Sequence, residues 1–423
     1  MGSEEKASHV GFIRRSGIFI FLTFMSNVFE LGSNGVAARL PEGGYGTFGA
    51  LFNIFFIIIA PLTAVQLVVS KEVSTFRALG EYGKVRTFAG LSLRYVAGFS
   101  VVVLVLGLFG SGFIADFLRI DSAIPVMLLM LIVLFYLPFP VFYGITQGMK
   151  KFLLLGFLTF NWGFFRFCFG AFFVFILASG INGLMTGMVI AAAATTFFAW
   201  IPVRSLLRQT GDDIEKGEVY KAFGLVIPII VSLFCVIVLK NADIVFSKRF
   251  FAPAEADAYT CAARVGSAFF MLGSIIMVMF PYVSEEKTQR RNPIIFLYKS
   301  FSVTAGLSLF GIIVAYLYPG LLMKIITIGG DIPGSLPLIR YIGLAVLPLS
   351  LVYIMSNYLL AKHSPGFLPI LIAGLFLQIT LVYSMHDTTM SLLTAVGISN
   401  AVTCGAMFGY IIKEHKHYLK HHS

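Results

Sequence analysis

Charge is scarce in this chain. Lys, Arg, Asp and Glu together make up 12% of its 423 residues, about half the share of a soluble globular domain. That excludes an ordinary water-exposed surface. Cysteine is also sparse. Cys168, Cys235, Cys261 and Cys404 all fall inside apolar runs, with spacing that suits neither a disulfide framework nor a zinc site. They read as small packing residues. There is no P-loop, and the glycines of Gly180–Gly187 form a turn at Asn182-Gly183 followed by small-residue packing, so ATP hydrolysis is not expected. No cleavable signal peptide is expected, because the first fifteen residues are polar and the apolar run behind them is too long for a signal core. No loop is long enough to house a soluble catalytic domain, so the chain is not expected to be an enzyme. No catalytic residue, cofactor or metal is assigned.

What is present is apolar surface. Hydrophobic residues reach 58% and the mean hydropathy is +0.90. Apolar runs predict twelve spanning helices over 15–38, 45–69, 88–110, 123–147, 153–178, 182–203, 220–242, 258–281, 297–318, 336–360, 366–385 and 389–412. Breakers such as Pro41-Glu42-Gly43-Gly44 and Ser364-Pro365-Gly366 mark short connections between them. Pro61, Pro138, Pro140 and Pro348 lie within or at the ends of helices and permit kinks.

The chain also repeats itself. A shift of 214 positions lays Asn27 on Asn241, Ser33 on Ser247, Ala38 on Ala252, Tyr45 on Tyr259 and Phe55-Phe56 on Phe269-Phe270. The same shift lays Val69-Ser70 on Val283-Ser284, Glu72 on Glu286 and Arg77 on Arg291. A duplicated membrane bundle is the usual architecture of secondary transporters. With six helices per copy, the halves enter from the same side and relate by an axis along the membrane normal. The expected fold is therefore an all-α polytopic membrane protein of about twelve helices, in two six-helix lobes around a central cavity. The lobes are residues 1–210 and 211–423, with the seam near Arg208–Lys221.

The net charge is +11. With the N terminus inside, most of the 31 basic residues fall on inner segments, from Lys6, Arg14 and Arg15 through Arg86, Arg94 and Lys150-Lys151 to Lys413, Lys416 and Lys420. This positive-inside bias puts both termini in the cytoplasm and the protein in the cytoplasmic membrane. The basic excess reads as topology and anionic-lipid contact, not nucleic-acid binding.

Ionisable groups inside helices cost about 2.5–3.5 kcal/mol each on insertion scales, so they mark cavities or partners. The candidates are Glu30, Arg166, Lys240, Asp243 and Arg264. Glu30 follows Asn27 by three residues on one helical face, and Asp243 follows Asn241 by two. Each half thus sets an Asn beside a carboxylate in its first helix. Such carboxylates either couple transport to protons or cations, or pair with basic neighbours. Lys240 and Asp243 are read as lying near the outer end of their helix. Arg166 and Arg264 present planar forks matched to phosphate; the alternative is structural pairing with Glu30 or Asp243. Gln66, Gln147 and Asn161 serve interhelical hydrogen bonding or sugar contact. The histidines of the tail Lys413–Ser423 read as a solvated basic end.

Several runs, in order, resemble polysaccharide flippases of the multidrug/oligosaccharidyl-lipid/polysaccharide exporter superfamily. They include Leu40-Pro41-Glu42-Gly43-Gly44-Tyr45-Gly46-Thr47-Phe48, Pro61–Ser70, Gln147-Gly148-Met149-Lys150-Lys151-Phe152, Arg166–Gly170 and Ser179-Gly180-Ile181-Asn182-Gly183. The second half adds Asn241-Ala242-Asp243, Ala258-Tyr259 and Phe280-Pro281-Tyr282-Val283-Ser284-Glu285. The resemblance implies alternating access that moves a polyprenyl-pyrophosphate oligosaccharide from the inner to the outer leaflet. Arg264, Arg166, Arg39, Asn27, Asn241 and Gln66 would line the substrate cavity, and Glu30 and Asp243 would couple ions. Lipid II flippases of this superfamily carry basic residues in helices 1, 2 and 8. Arg39 and Arg264 match approximately, but helix 2 has no basic residue before Lys71. This favours other polyprenyl-linked saccharides. Expected partners are that saccharide, membrane lipids and, where polysaccharide is assembled, a polymerase or ligase. Two rivals remain open: a cation-coupled multidrug exporter of the same superfamily, and a membrane-embedded glycosyltransferase or ligase. The second would have only His386-Asp387 and Asp116–Asp121 available outside.

Overall fold

A computed structural model describes residues 3–207, 227–272, 294–362 and 364–422, with side chains described for 17–207, 227–272, 297–362 and 364–415. Among the described residues every regular element is helical. In chain order these are α1 (Ser3–Ala37), α2 (Gly44–Ala78), α3 (Tyr82–Phe109), α4 (Ser111–Phe117), α5 (Ile124–Tyr136), α6 (Phe139–Gly148), α7 (Phe152–Ala171) and α8 (Gly180–Leu207). They continue with α9 (Ile227–Phe250), α10 (Pro253–Leu272), α11 (Ile294–Leu317), α12 (Pro319–Ile326), α13 (Ser335–Ala361), α14 (Leu368–Ser384) and α15 (Thr389–His422). Among the described residues, 10 helical segments are long and apolar enough to cross a membrane. The protein is an all-α, multi-pass membrane protein.

Local sequence explains the breaks. The expected helix at 123–147 divides into α5 and α6 around Leu137-Pro138, because Pro138 and Pro140 cannot donate to the preceding carbonyls. Thr196 Oγ1 donates to the Phe135 carbonyl at 2.6 Å, so a side chain of α8 satisfies backbone at the break. The expected helix at 153–178 ends in a π turn, Phe172–Ile176. Gly43 takes φ +81° just before α2, the left-handed region that glycine enters at no steric cost.

One boundary changes the reading of a candidate. The helix expected to end at 242 runs on to Phe250. Asp243 therefore sits two turns inside α9 and is buried, not water-solvated near a helix end. The next helix begins at Pro253 instead of 258, so Asp257 lies within it. The expected start of the seventh helix at 220, the end of the eighth at 281, the seam Arg208–Lys221, the motif Phe280–Glu285 and the repeat positions Val283, Ser284, Glu286 and Arg291 lie outside the described residues.

The chain forms two compact units: Met1–Pro41 with Ile58–Ile230, and Glu42–Ile57 with Val231–Ser423. The opening half of α2 is thus counted with the second unit. In the first unit α1 packs along α7, α7 along α8, and α5 against α3 and α8. In the second, α13 packs against α10, α11 and α15, and α14 against α15. The core of the second unit gathers Cys235, Met355, Tyr358, Phe367, Leu371 and Met407. All four cysteines are unbridged thiols.

Candidate functional site

In the first unit the charged pair is Glu30 on α1 and Arg166 on α7. The Arg166 side chain is 2% exposed and that of Glu30 43%, with Nη2 3.7 Å from Oε1. Arg166 Nε also donates to Ser33 Oγ at 3.3 Å, and its guanidinium lies 5.6 Å from the Trp162 ring centroid. Beside it Phe29 packs edge-on to Phe160 and Phe164. The two helices come close because Gly163 has no side chain: a Cβ there would stand 2.7 Å from the Ser26 carbonyl oxygen. Ser26 Oγ in turn donates to the Thr159 carbonyl at 2.9 Å. A permanently charged guanidinium inside an apolar bundle is thus answered by a carboxylate, a hydroxyl and a π face. Asn27, one turn before Glu30, is exposed. Gln66 Nε2 donates to Gln147 Oε1 at 3.4 Å. Arg39, just past the end of α1, is exposed and donates to the Gly35 carbonyl of that helix at 2.7 Å.

The second unit holds a different set of groups. Asp243 is buried and accepts from Tyr259 Oη at 3.0 Å and from the Ile244 N–H at 2.9 Å. Lys240, one turn before it, lies with Nζ 4.9 Å from the Phe270 ring centroid. Lys240, Asp243, Ser267 and Asn400 line a cavity of about 20 Å³, room for one water-sized guest. Asn400 Nδ2 donates to the Ala345 carbonyl at 3.0 Å, joining α15 to α13. Asn241 is buried and donates to the Ile237 carbonyl at 2.7 Å. Arg264 is 9% exposed, and its guanidinium lies 5.1 Å from the Phe52 ring centroid. Among the described residues no three His, Cys, Asp or Glu side chains converge as metal ligands.

Sequence reading passed over Asp257. Only 8% exposed, it accepts the backbone N–H of Gly43 at 2.8 Å and that of Gly46 at 2.5 Å. These amides lie just before α2 and in its first turn, at a helix start where N–H groups have no intrahelical partner and a carboxylate is favoured. The contact needs glycines. A Cβ on Gly46 would meet Asp257 and Ala256 at 3.1 Å, and one on Gly49 would meet Thr260 at 2.5 Å. Gly43, Gly46 and Gly49 recur every three residues and face α10, a close-packing stripe. The separation of Gly43 from Asp257 is 214 residues, the repeat offset itself. The shift makes the two positions equivalent in the repeat, which does not by itself place them in contact. Tyr45 and Tyr259 are both fully enclosed.

No protein-family model matches the chain, and no curated protein matches its sequence. Solved structures do. An inward-facing multidrug resistance MATE family transporter of the MOP superfamily aligns over 95% of this chain and 98% of its own, with a TM-score of 0.75 at 14% identity. The chain has the MATE transporter fold. The MATE transporter VcmN from Vibrio cholerae aligns over 96% and 97%, with a TM-score of 0.67 at 14% identity. A MOP superfamily transporter from Pyrococcus furiosus, whose binding pocket is described as reversed in polarity, aligns over 94% of both chains, with a TM-score of 0.64 at 13% identity. An outward-facing MATE transporter aligns as well, with a TM-score of 0.65.

Proposed function

We propose that this chain is an alternating-access flippase for a polyprenyl-pyrophosphate oligosaccharide in the cytoplasmic membrane, with both termini in the cytoplasm. The observation that carries the reading is Arg264, a permanent cation 9% exposed in α10 and backed by the Phe52 ring. An arginine at membrane depth is costly and marks a functional path by default. Its fork matches the oxygens of a pyrophosphate. The MATE fold, known in inward-facing and outward-facing forms, supplies the framework for alternating access. The resemblance of the Leu40–Phe48, Pro61–Ser70 and Gln147–Phe152 runs to polysaccharide flippases supplies the substrate class.

In this reading Arg264 takes the pyrophosphate, and Arg39, Arg166, Asn27, Asn241 and Gln66 are the further candidates for substrate contact. Glu30 links ion and substrate. Its carboxylate faces Arg166 at 3.7 Å, and a cation that takes the carboxylate would free the guanidinium for a phosphate. Asp243, with Lys240 and the small cavity beside them, is the second coupling group. The product emerges on the outer leaflet, where a polysaccharide polymerase or ligase would use it.

The test is reconstitution into liposomes with a fluorescent polyprenyl-pyrophosphate saccharide, following quenching of outer-leaflet label with and without a pH or Na⁺ gradient. Translocation above empty liposomes is expected, with loss of gradient dependence in Glu30→Gln. Transport unchanged in both Arg264→Ala and Arg264→Lys would remove Arg264 from the mechanism.

A second reading, a cation-coupled multidrug exporter, is favoured by the multidrug MATE neighbours. It predicts gradient-driven efflux of a cationic dye and no movement of any saccharide lipid.

A further inference from the structure

Within the first unit, α3, α5, α6 and α8 leave a groove in two parts. One part, of about 560 Å³, is apolar and lined by Ala97, Phe135, Phe142 and Phe197 among others. The other, of about 420 Å³, carries Arg86 and Arg94. Leu93 and Trp200 line both parts, so the two adjoin. Both volumes fall in the usual range of small-molecule sites, about 300–1,000 Å³.

The two ends sit at different depths. Arg86 lies in the first turns of α3 and its Nε donates to the carbonyl of Leu207, the last residue of α8, at 2.9 Å. The basic end is therefore at the helix ends. Ala97 is about 16 Å further along α3 at ~1.5 Å per residue, and half the hydrocarbon core is about 15 Å. The groove thus runs from headgroup depth to near mid-bilayer, the reach of a single leaflet. Trp200, 42% exposed, stands where the basic and apolar parts meet, the place an amphipathic indole prefers at a membrane interface. On the groove wall itself Ala97 and Phe197 are exposed, Phe197 at 61%, and α3 is the least buried of the candidate spans at 17%. The groove therefore opens where acyl chains would lie.

Charge selects the headgroup. Among the described residues no acidic side chain lines either part. The nearest carboxylate on the same helix end, Glu81, meets Lys84 at 3.2 Å. A guanidinium offers five donors, so the one bond from Arg86 to Leu207 leaves capacity for a phosphate. At the apolar end, the Thr196 hydroxyl is taken by the Phe135 carbonyl and asks nothing of a guest.

We propose that this groove is a site for an anionic bilayer phospholipid, with its phosphate on Arg86 and Arg94 and an acyl chain along Leu93, Ala97 and Phe142. The site belongs to one unit and is separate from the residues assigned to transport.

Native mass spectrometry of the full chain, titrated with phosphatidylglycerol, phosphatidylcholine and a polyprenyl phosphate, tests it. One phosphatidylglycerol should be retained in preference to phosphatidylcholine. Arg86→Gln combined with Arg94→Gln should weaken that retention roughly tenfold or more, since each basic group near the headgroup layer contributes about a factor of five. Ala97→Trp, which fills the apolar part and keeps both charges, should weaken it too. Equal retention of both phospholipids, or wild-type retention in the double variant, would overturn the proposal. So would retention of polyprenyl phosphate with phosphatidylglycerol excluded, which gives the groove to the transported lipid. A phosphatidylglycerol with a photoreactive acyl chain covers the case of variants that do not fold: in wild-type protein it should label α3 and α8, and labelling confined to other helices refutes the site.

Discussion

The two units settle their buried charges by different physics. In the first, Arg166 meets an opposite charge, Glu30, from a neighbouring helix. In the second, Asp257 meets two backbone amides with the Lys248 charge further off, Asp243 meets a tyrosine hydroxyl with Lys240 one turn away, and Arg264 faces an aromatic ring. An ion pair tolerates modest changes in distance, because Coulomb attraction falls slowly with separation. A carboxylate held by two amides depends on hydrogen-bond geometry, which weakens steeply off-line. The first arrangement is thus sensitive to charge, the second to shape, and the glycine stripe at Gly43, Gly46 and Gly49 is the signature of the second.

That contrast orders the expected losses, each read as the thermal midpoint of purified protein in detergent. Asp257→Ala leaves two buried N–H groups without an acceptor and should cost the most, about 3 kcal/mol, given roughly 1–3 per orphaned group. Gly49→Ala should also destabilise, because its Cβ has no room before Thr260; a neutral result would show that α2 and α10 are free to separate there. Glu30→Gln removes the charge facing Arg166. Because Glu30 is partly exposed, the loss should be about 1–2 kcal/mol, below the figure for fully buried pairs. The double exchange Glu30→Arg with Arg166→Glu should recover part of it, and no recovery would mean that shape rules in the first unit as well. Tyr259→Phe removes one hydrogen bond to Asp243 and should cost about 1 kcal/mol. Arg39→Gln, at an exposed position bonded to the end of α1, should stay within about 0.5 kcal/mol.

The sequence by itself determined the membrane class, the helical architecture and most of the spans, and it allowed a kink at Pro138 and Pro140 within a helix expected to run from 123 to 147. These follow from local quantities: apolar length against bilayer thickness, and the missing proline N–H. It also marked Glu30, Arg166, Asp243 and Arg264 as costly, since that cost depends only on charge and depth. Which partner each would meet was beyond it. Arg166 had Glu30 and Asp243 as open alternatives, and only the packing of α1 on α7 through Gly163 selects Glu30. Asp257 went unremarked, because it lay just outside the helix expected from 258 and its amide partners lie 214 and 211 residues away. The continuation of α9 past Asp243 to Phe250 was equally invisible, as the polar run Lys240–Asp243 looks like a helix end unless neighbours bury it. The groove over Arg86 and Trp200 joins residues far apart in sequence, so no periodicity announces it. Burial and partnership are properties of the folded neighbourhood, and tertiary structure alone decides them.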